Sequence, residues 1–132
     1  MYTRLVIVCM LMLASATLNT QSAHADVAST PRGHTTRRLG CADNVNLALS
    51  ERGIVGSGSS RALDFLKWGV RSRPLPGAVA VYGRGRGSGH VAVVSRVMSD
   101  GTVCVFNPNR RGWRELCNMR MRTLGFRTRV RG

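Results

Sequence analysis

The apolar residues of this chain change period once, near Gly77, and that change limits what the chain can fold into. Between Cys41 and Trp68 they recur at helical spacing. From Ala78 onward they form short β-branched runs separated by Gly, Pro, Asn and Asp clusters. Helices followed by a run of antiparallel strands predict an α+β fold, with N-terminal helices packed on an antiparallel β-sheet. A chain of 132 residues suits one small domain, and its 43% hydrophobic content supplies a core and excludes a disordered tail.

The first helix begins at Cys41, with Cys41, Ala42, Val45, Ala48 and Leu49 on one face and Gly53 as a stop after Arg52. Residues 54–59 read as a Gly/Ser loop, and Ser59 or Ser60 caps a second helix running to about Trp68. Residues 70–77 hold Pro74 and Pro76 and read as an extended connection. Strands are expected over 78–82, 90–98, 102–107 and 113–118, with a last short edge strand over 126–130. Residues 83–89 read as a glycine-rich loop, Asp100-Gly101 as a hairpin turn, and 108–112 as a further turn.

The N-terminus reads as an address. Arg4 precedes an apolar run of 12 residues, Leu5 to Ala16, and Ala23-His24-Ala25 offers a small-x-small cleavage site. The run is too short for a membrane span, which needs about 20 residues. Residues 1–25 are therefore expected to be a secretory signal peptide and 26–38 a flexible basic leader containing His34. Residues 39–132 then form the domain, periplasmic or secreted, with no stable membrane insertion after cleavage. The formal charge is +14, Lys67 is the only lysine, and removal of residues 1–25 leaves +13. Such a balance favours anionic partners: nucleic acid, wall polymer or anionic membrane. Aromatic residues make up only 5%, which argues against a stacking surface for single-stranded nucleic acid. The glycine-rich loop has neither the P-loop nor the dinucleotide pattern. Six acids that do not cluster predict no metal, and no cofactor is expected.

Beyond the signal, three cysteines remain: Cys41, Cys104 and Cys117. An odd number in an oxidising compartment leaves at least one thiol unpaired or bonded elsewhere. Cys104 and Cys117 lie on successive strands and can face each other across a hairpin, leaving Cys41 free. A disulfide from Cys41 to either of them is the alternative, and it would abolish thiol chemistry. Taken alone, Cys41 is accounted for as a small buried apolar residue. In a first helical turn, however, unpaired N–H groups and the macrodipole favour a thiolate, which is the nucleophilic form.

His90 opens a strand after the glycine loop, and alternation groups it with Ala92 and Val94. If the Cys41 helix packs on that face, thiol and imidazole meet. Cysteine with histidine is the minimal set for acyl transfer, and a third group must orient the ring. Asn107 is the first candidate for that role and Asn109 the second, both on one face of the neighbouring strand. Either asparagine is also accounted for by turn formation beside Pro108.

Four pieces occur in order: Gly40-Cys41-Ala42-Asp43-Asn44-Val45-Asn46, the Trp68-Gly69 helix end, Pro74-x-Pro76-Gly77-Ala78-Val79, and Gly89-His90-Val91-Ala92-Val93-Val94. Together they resemble the CHAP family, the cysteine, histidine-dependent amidohydrolase/peptidase domains of the papain-like superfamily. The resemblance covers about Leu39 to Val130. It implies a papain-like CHAP fold and hydrolysis of peptidoglycan, either at the sugar–alanine amide or within the peptide; the domain is separately expected to be a monomer. The resemblance implies Cys41 as nucleophile and His90 as general base. The family commonly follows with Glu and, two residues on, Asn; here Asn107 and Asn109 stand at those positions. The rival readings are an arginine-rich secreted module that binds anionic polymer without chemistry, and an inactive relative of the family.

Overall fold

The computed structural model describes residues 39–109 and 112–129. The expected signal peptide and leader, with His34, lie outside the described residues, as does Val130. Helix α1 (Cys41–Ser50) and a 3-10 helix (Ala62–Lys67) precede the sheet. Six strands follow: β1 (Val70–Ser72), β2 (Val79–Gly85), β3 (Ser88–Val97), β4 (Val103–Asn109), β5 (Gly112–Cys117) and β6 (Arg122–Thr128). They form one sheet in the order β1-β6-β2-β3-β4-β5, with every pairing antiparallel. The molecule is mostly sheet, with α1 as the only α-helix among the described residues. None of these helices is long and apolar enough to cross a membrane.

Several elements differ from the sequence expectation. The second helix is a six-residue 3-10 helix, held by i→i+3 bonds such as Trp68 N–H to the Phe65 carbonyl (3.1 Å). It is anchored at both ends. Ser59 Oγ donates to Asp64 at 2.6 Å, and Trp68 Nε1 donates to the Val55 carbonyl at 2.9 Å. A 3-10 helix rises about 2.0 Å per residue against 1.5 Å for an α-helix, so the same six residues reach further between those anchors. The extended connection contains edge strand β1. The final strand starts at Arg122 and lies inside the sheet between β1 and β2, not at its edge. Arg127 fastens it there by donating from Nε to the Leu66 carbonyl at 2.8 Å. The glycine-rich loop is mostly strand, and only Arg86-Gly87 turns between β2 and β3.

Each face of the sheet has its own core. On one side Ala42, Val45 and Leu49 of α1, with Phe65, pack on Val79, Val81, Val91 and Val93. On the other, Ala78, Ala80, Tyr82, Ala92, Val94 and Val105 pack with Leu75, Met119, Met121 and Phe126. Strand alternation makes this division: odd residues of β3 face α1 and even residues face away. Burying each large aliphatic side chain contributes roughly 1.5–3 kcal/mol, so the α1 face fixes the helix on the sheet.

Candidate active site

The start of α1 is held by its own polar residues. Asn44, buried though polar, donates from Nδ2 to the carbonyls of Gly40 (3.0 Å) and Leu39 (3.2 Å). The Asp43 carboxylate accepts from the Gly40 N–H at 3.2 Å and from Ser60 Oγ at 2.6 Å. Asn46 accepts from the Ser57 N–H at 2.7 Å and donates to the Ser59 carbonyl at 3.0 Å. Asp43 and Asn46 depart from an apolar helix pattern because they tie Cys41's turn to the 57–60 loop, and Asn44 because it closes that turn onto residues 39 and 40. A carboxylate in the first turn also suits the helix dipole.

The sheet opens where Cys41 arrives. Val94 of β3 bonds the chain just before β2: its N–H donates to the Ala78 carbonyl at 2.8 Å and its carbonyl accepts from the Gly77 N–H at 2.8 Å. By alternation, Val91 and Val93 direct their backbone groups toward β4. Val93 pairs with Phe106, and the β3–β4 register begins there. Continuing that register by two residues would set Val91 opposite Pro108, which has no N–H to give. Pro108 remains a strand residue, against the expected turn, because its pairing with Trp113 on β5 does not need that donor. The Val91 N–H is then available to the Cys41 sulfur, and it takes up that bond.

Cys41 is half-buried and is the free cysteine among the described residues. Cys104 and Cys117 form a disulfide across directly paired positions of β4 and β5, with Cα atoms 4.0 Å apart. His90 is 4% exposed and stacks on Tyr82, its cross-strand neighbour, with centroids 6.4 Å apart. Its Nε2 is hydrogen-bonded to Asn107 Oδ1. An amide oxygen only accepts, so Nε2 donates to it, and Nδ1 is the nitrogen left to share a proton with the Cys41 sulfur. An Arg84 guanidinium nitrogen lies 3.4 Å from that same Nδ1. Burial pushes the Cys41 thiol up, and it is the largest single influence. The hydrogen bond from His90, the Val91 N–H, the charge of His90 and the Ala42 N–H together outweigh it, so the thiol titrates below its ordinary range. Burial alone pushes the Tyr82 phenol up to about 12, so the ring beside His90 stays neutral.

The expected route to this contact was different. Helix α1 packs on the Val91/Val93 face, not on the face of His90, Ala92 and Val94. Thiol and imidazole meet because the sulfur reaches the open edge of β3. The structure brings Cys41, His90 and Asn107 together. Asn109 shares a strand face with Asn107 and pairs with Gly112 at the far end of β4. Four residues were missed as contributors: Asn44, Asp43, Arg84 and Gly89. Gly89 could have been found from its place beside His90, since a Cβ there would come within 2.5 Å of the Leu63 side chain. A cleft of about 240 Å³ opens beside the sulfur, lined by Gly40, Cys41, the 60–63 segment and Gly87 to Gly89. Among the described residues no group of three His, Cys, Asp or Glu side chains converges to hold a metal.

A cysteine at a helix start, bonded to a strand histidine that an amide orients, defines a candidate thiol-hydrolase site. The CHAP domain family model matches residues 32–109, more than half of the sequence, and the chain belongs to the CHAP family. Members of that family are generally hydrolases, amidases or peptidases associated with peptidoglycan. Comparisons with curated proteins and with solved structures gave no match.

Proposed function

We propose that this protein is an exported cysteine hydrolase that cuts an amide bond of peptidoglycan, with a papain-like arrangement of Cys41, His90 and Asn107. The observation that carries this reading is the meeting of thiol, imidazole and amide at the open end of β3–β4. The Cys41 thiolate attacks the amide carbonyl carbon, and the oxyanion is held by the Cys41 N–H at the start of α1 with one further donor. His90, protonated on Nδ1, gives that proton to the leaving amine as the C–N bond breaks. A water deprotonated by Nδ1 then hydrolyses the thioester. Asn107 keeps Nδ1 aimed at the sulfur throughout and is a positioning residue.

In this reading residues 1–25 are the secretory signal, 26–38 a leader and 39–132 the catalytic domain, which acts as a monomer in the periplasm or outside the cell without cofactor or metal. The arginine-rich surface draws the domain to the anionic wall, an attraction that salt weakens. Purified peptidoglycan incubated with the protein should release new amino groups, or new sugar-lactyl ends, identifiable by mass spectrometry. Cys41→Ala should release neither. Equal release by wild type and Cys41→Ala would refute the reading. Salt-sensitive wall binding by a wild type that releases nothing would point to the binding module.

A further inference from the structure

Arg84 is the residue near the site that this chemistry leaves unused. The β2–β3 register shifts between Gly83 and Gly85, so Arg84 is the extra residue of a β-bulge. Bulges re-aim side chains, and this one brings a guanidinium nitrogen to 3.4 Å from His90 Nδ1 although Arg84 itself is exposed. Among the described residues no carboxylate lies within ion-pair distance of Arg84. The acids nearest the cleft are engaged elsewhere, Asp43 with Gly40 and Ser60, and Asp64 with Ser59. Arg61 lines the cleft beside Cys41, again without an acidic partner among the described residues.

An arginine against a ring nitrogen is a poor final arrangement. The Nδ1 lone pair cannot accept from Arg84 and take the thiol's proton at once. A carboxylate offers the guanidinium two parallel charge-assisted bonds, each roughly twice as strong as a neutral one, and would draw Arg84 off the imidazole. The position of that carboxylate is constrained. Nδ1 delivers its proton to the leaving amine, so a group held by Arg84 lies on the amine side of the scissile bond, within a few bonds of the nitrogen.

Resting on the hydrolase reading above, we propose that Arg84 selects amides whose leaving amine carries a free carboxylate on the adjacent carbon. In a wall stem peptide a γ-linked glutamate following alanine meets this condition, because γ-linkage leaves its α-carboxylate free, and so does a C-terminal amino acid. The sugar–alanine amide does not, since that alanine's carboxyl is itself in amide linkage. The inference therefore places cleavage within the peptide.

The test uses the full mature chain and two synthetic peptides, acetyl-alanyl-γ-D-glutamyl-lysine with its glutamate α-carboxyl free and the same peptide with that carboxyl amidated. Wild type should show kcat/KM at least about tenfold higher for the free acid. Arg84→Gln should bring the ratio near one, and Arg84→Lys should restore part of it, because a point charge replaces the fork. Alkylation of Cys41 in each variant checks that the site is folded. Equal wild-type rates on both peptides, or an Arg84→Gln variant that keeps the preference, would overturn the inference while leaving the hydrolase reading standing. Cleavage only at the sugar–alanine amide of whole peptidoglycan would also overturn it. A wild type that cleaves neither peptide nor peptidoglycan would remove both.

Discussion

The β3–β4 pair ends in two different ways. At its hairpin end the pairing runs on, past a one-residue shift between Val94 and Arg96, to Val97↔Val103; Asp100 Oδ1 accepts from the Thr102 N–H at 2.9 Å, and Cys104 is locked to Cys117 on β5. At the other end the ladder stops at Val93↔Phe106, because the next position facing β3 is Pro108. There the backbone donor of Val91 turns to a sulfur, and His90 and Asn107 face each other across the gap. A disulfide thus closes one end of the pair, while the other end receives the free Cys41 from α1. The lesson is that a reactive site needs backbone groups withheld from the sheet, and one proline suffices to withhold them.

Substitutions at the open end should have the largest effect. Cys41→Ala should lower peptidoglycan hydrolysis by about a thousandfold or more with little change in Tm, as expected when a nucleophile is removed and only substrate binding remains. Asn107→Ala frees the ring to rotate and should lower kcat by roughly ten- to a hundredfold, about 1.4–2.8 kcal/mol in the barrier, with KM nearly constant. Both are read by steady-state release of amino groups.

Pro108→Ala restores the N–H that the ladder lacks. The strands should then pair toward Val91 and compete with the sulfur for its N–H. The expected result is a stability gain of up to about 1 kcal/mol, one net hydrogen bond, together with a several-fold loss of kcat. Thermal unfolding and kinetics measured on the same preparation check both signs. At the closed end the order reverses. Cys104→Ala with Cys117→Ala opens a loop with a sequence separation of 13 and should cost roughly 2–3 kcal/mol of stability. Activity per folded molecule at low temperature should remain. The smallest effect belongs to Arg96→Ala, which removes the 3.1 Å ion pair with Glu115. Both partners are exposed, so the loss should stay below about 1 kcal/mol and shrink with salt.

Parts of this were readable in the residues themselves. The start of α1 at Cys41, the hairpin at Asp100-Gly101 and the shift from helical to strand period follow from local spacing and turn chemistry. The pairing of Cys104 with Cys117 was one of the alternatives the sequence left open, and the register of β4 on β5 decides for it. What could not be read depends on partners distant in sequence. Strand β6 lies inside the sheet because β1 covers it, and three residues with the pattern Val70-Arg71-Ser72 give no periodic signal. The face of the sheet that α1 covers could not be read, because alternation says which residues of β3 go together but not which set meets the helix. The opening beside His90 depends on a proline seventeen or so residues downstream being set against β3, and only the register reveals it. Arg84 was hidden in a segment whose glycines suggested a loop, whereas a bulged strand turns it toward the imidazole.

The central claim is that His90 holds the Cys41 sulfur as an anion at the open edge of β3. The rate of Cys41 alkylation by iodoacetamide as a function of pH tests it most directly, in wild type and in His90→Ala, against free cysteine under the same conditions. The thiolate alone reacts, so a thiol lowered by His90 should reach half its maximal rate at a pH below that of free cysteine. Without the imidazole, burial is opposed only by the Val91 and Ala42 N–H groups, and the midpoint should move upward. Coincident midpoints for wild type, variant and free cysteine would contradict the account.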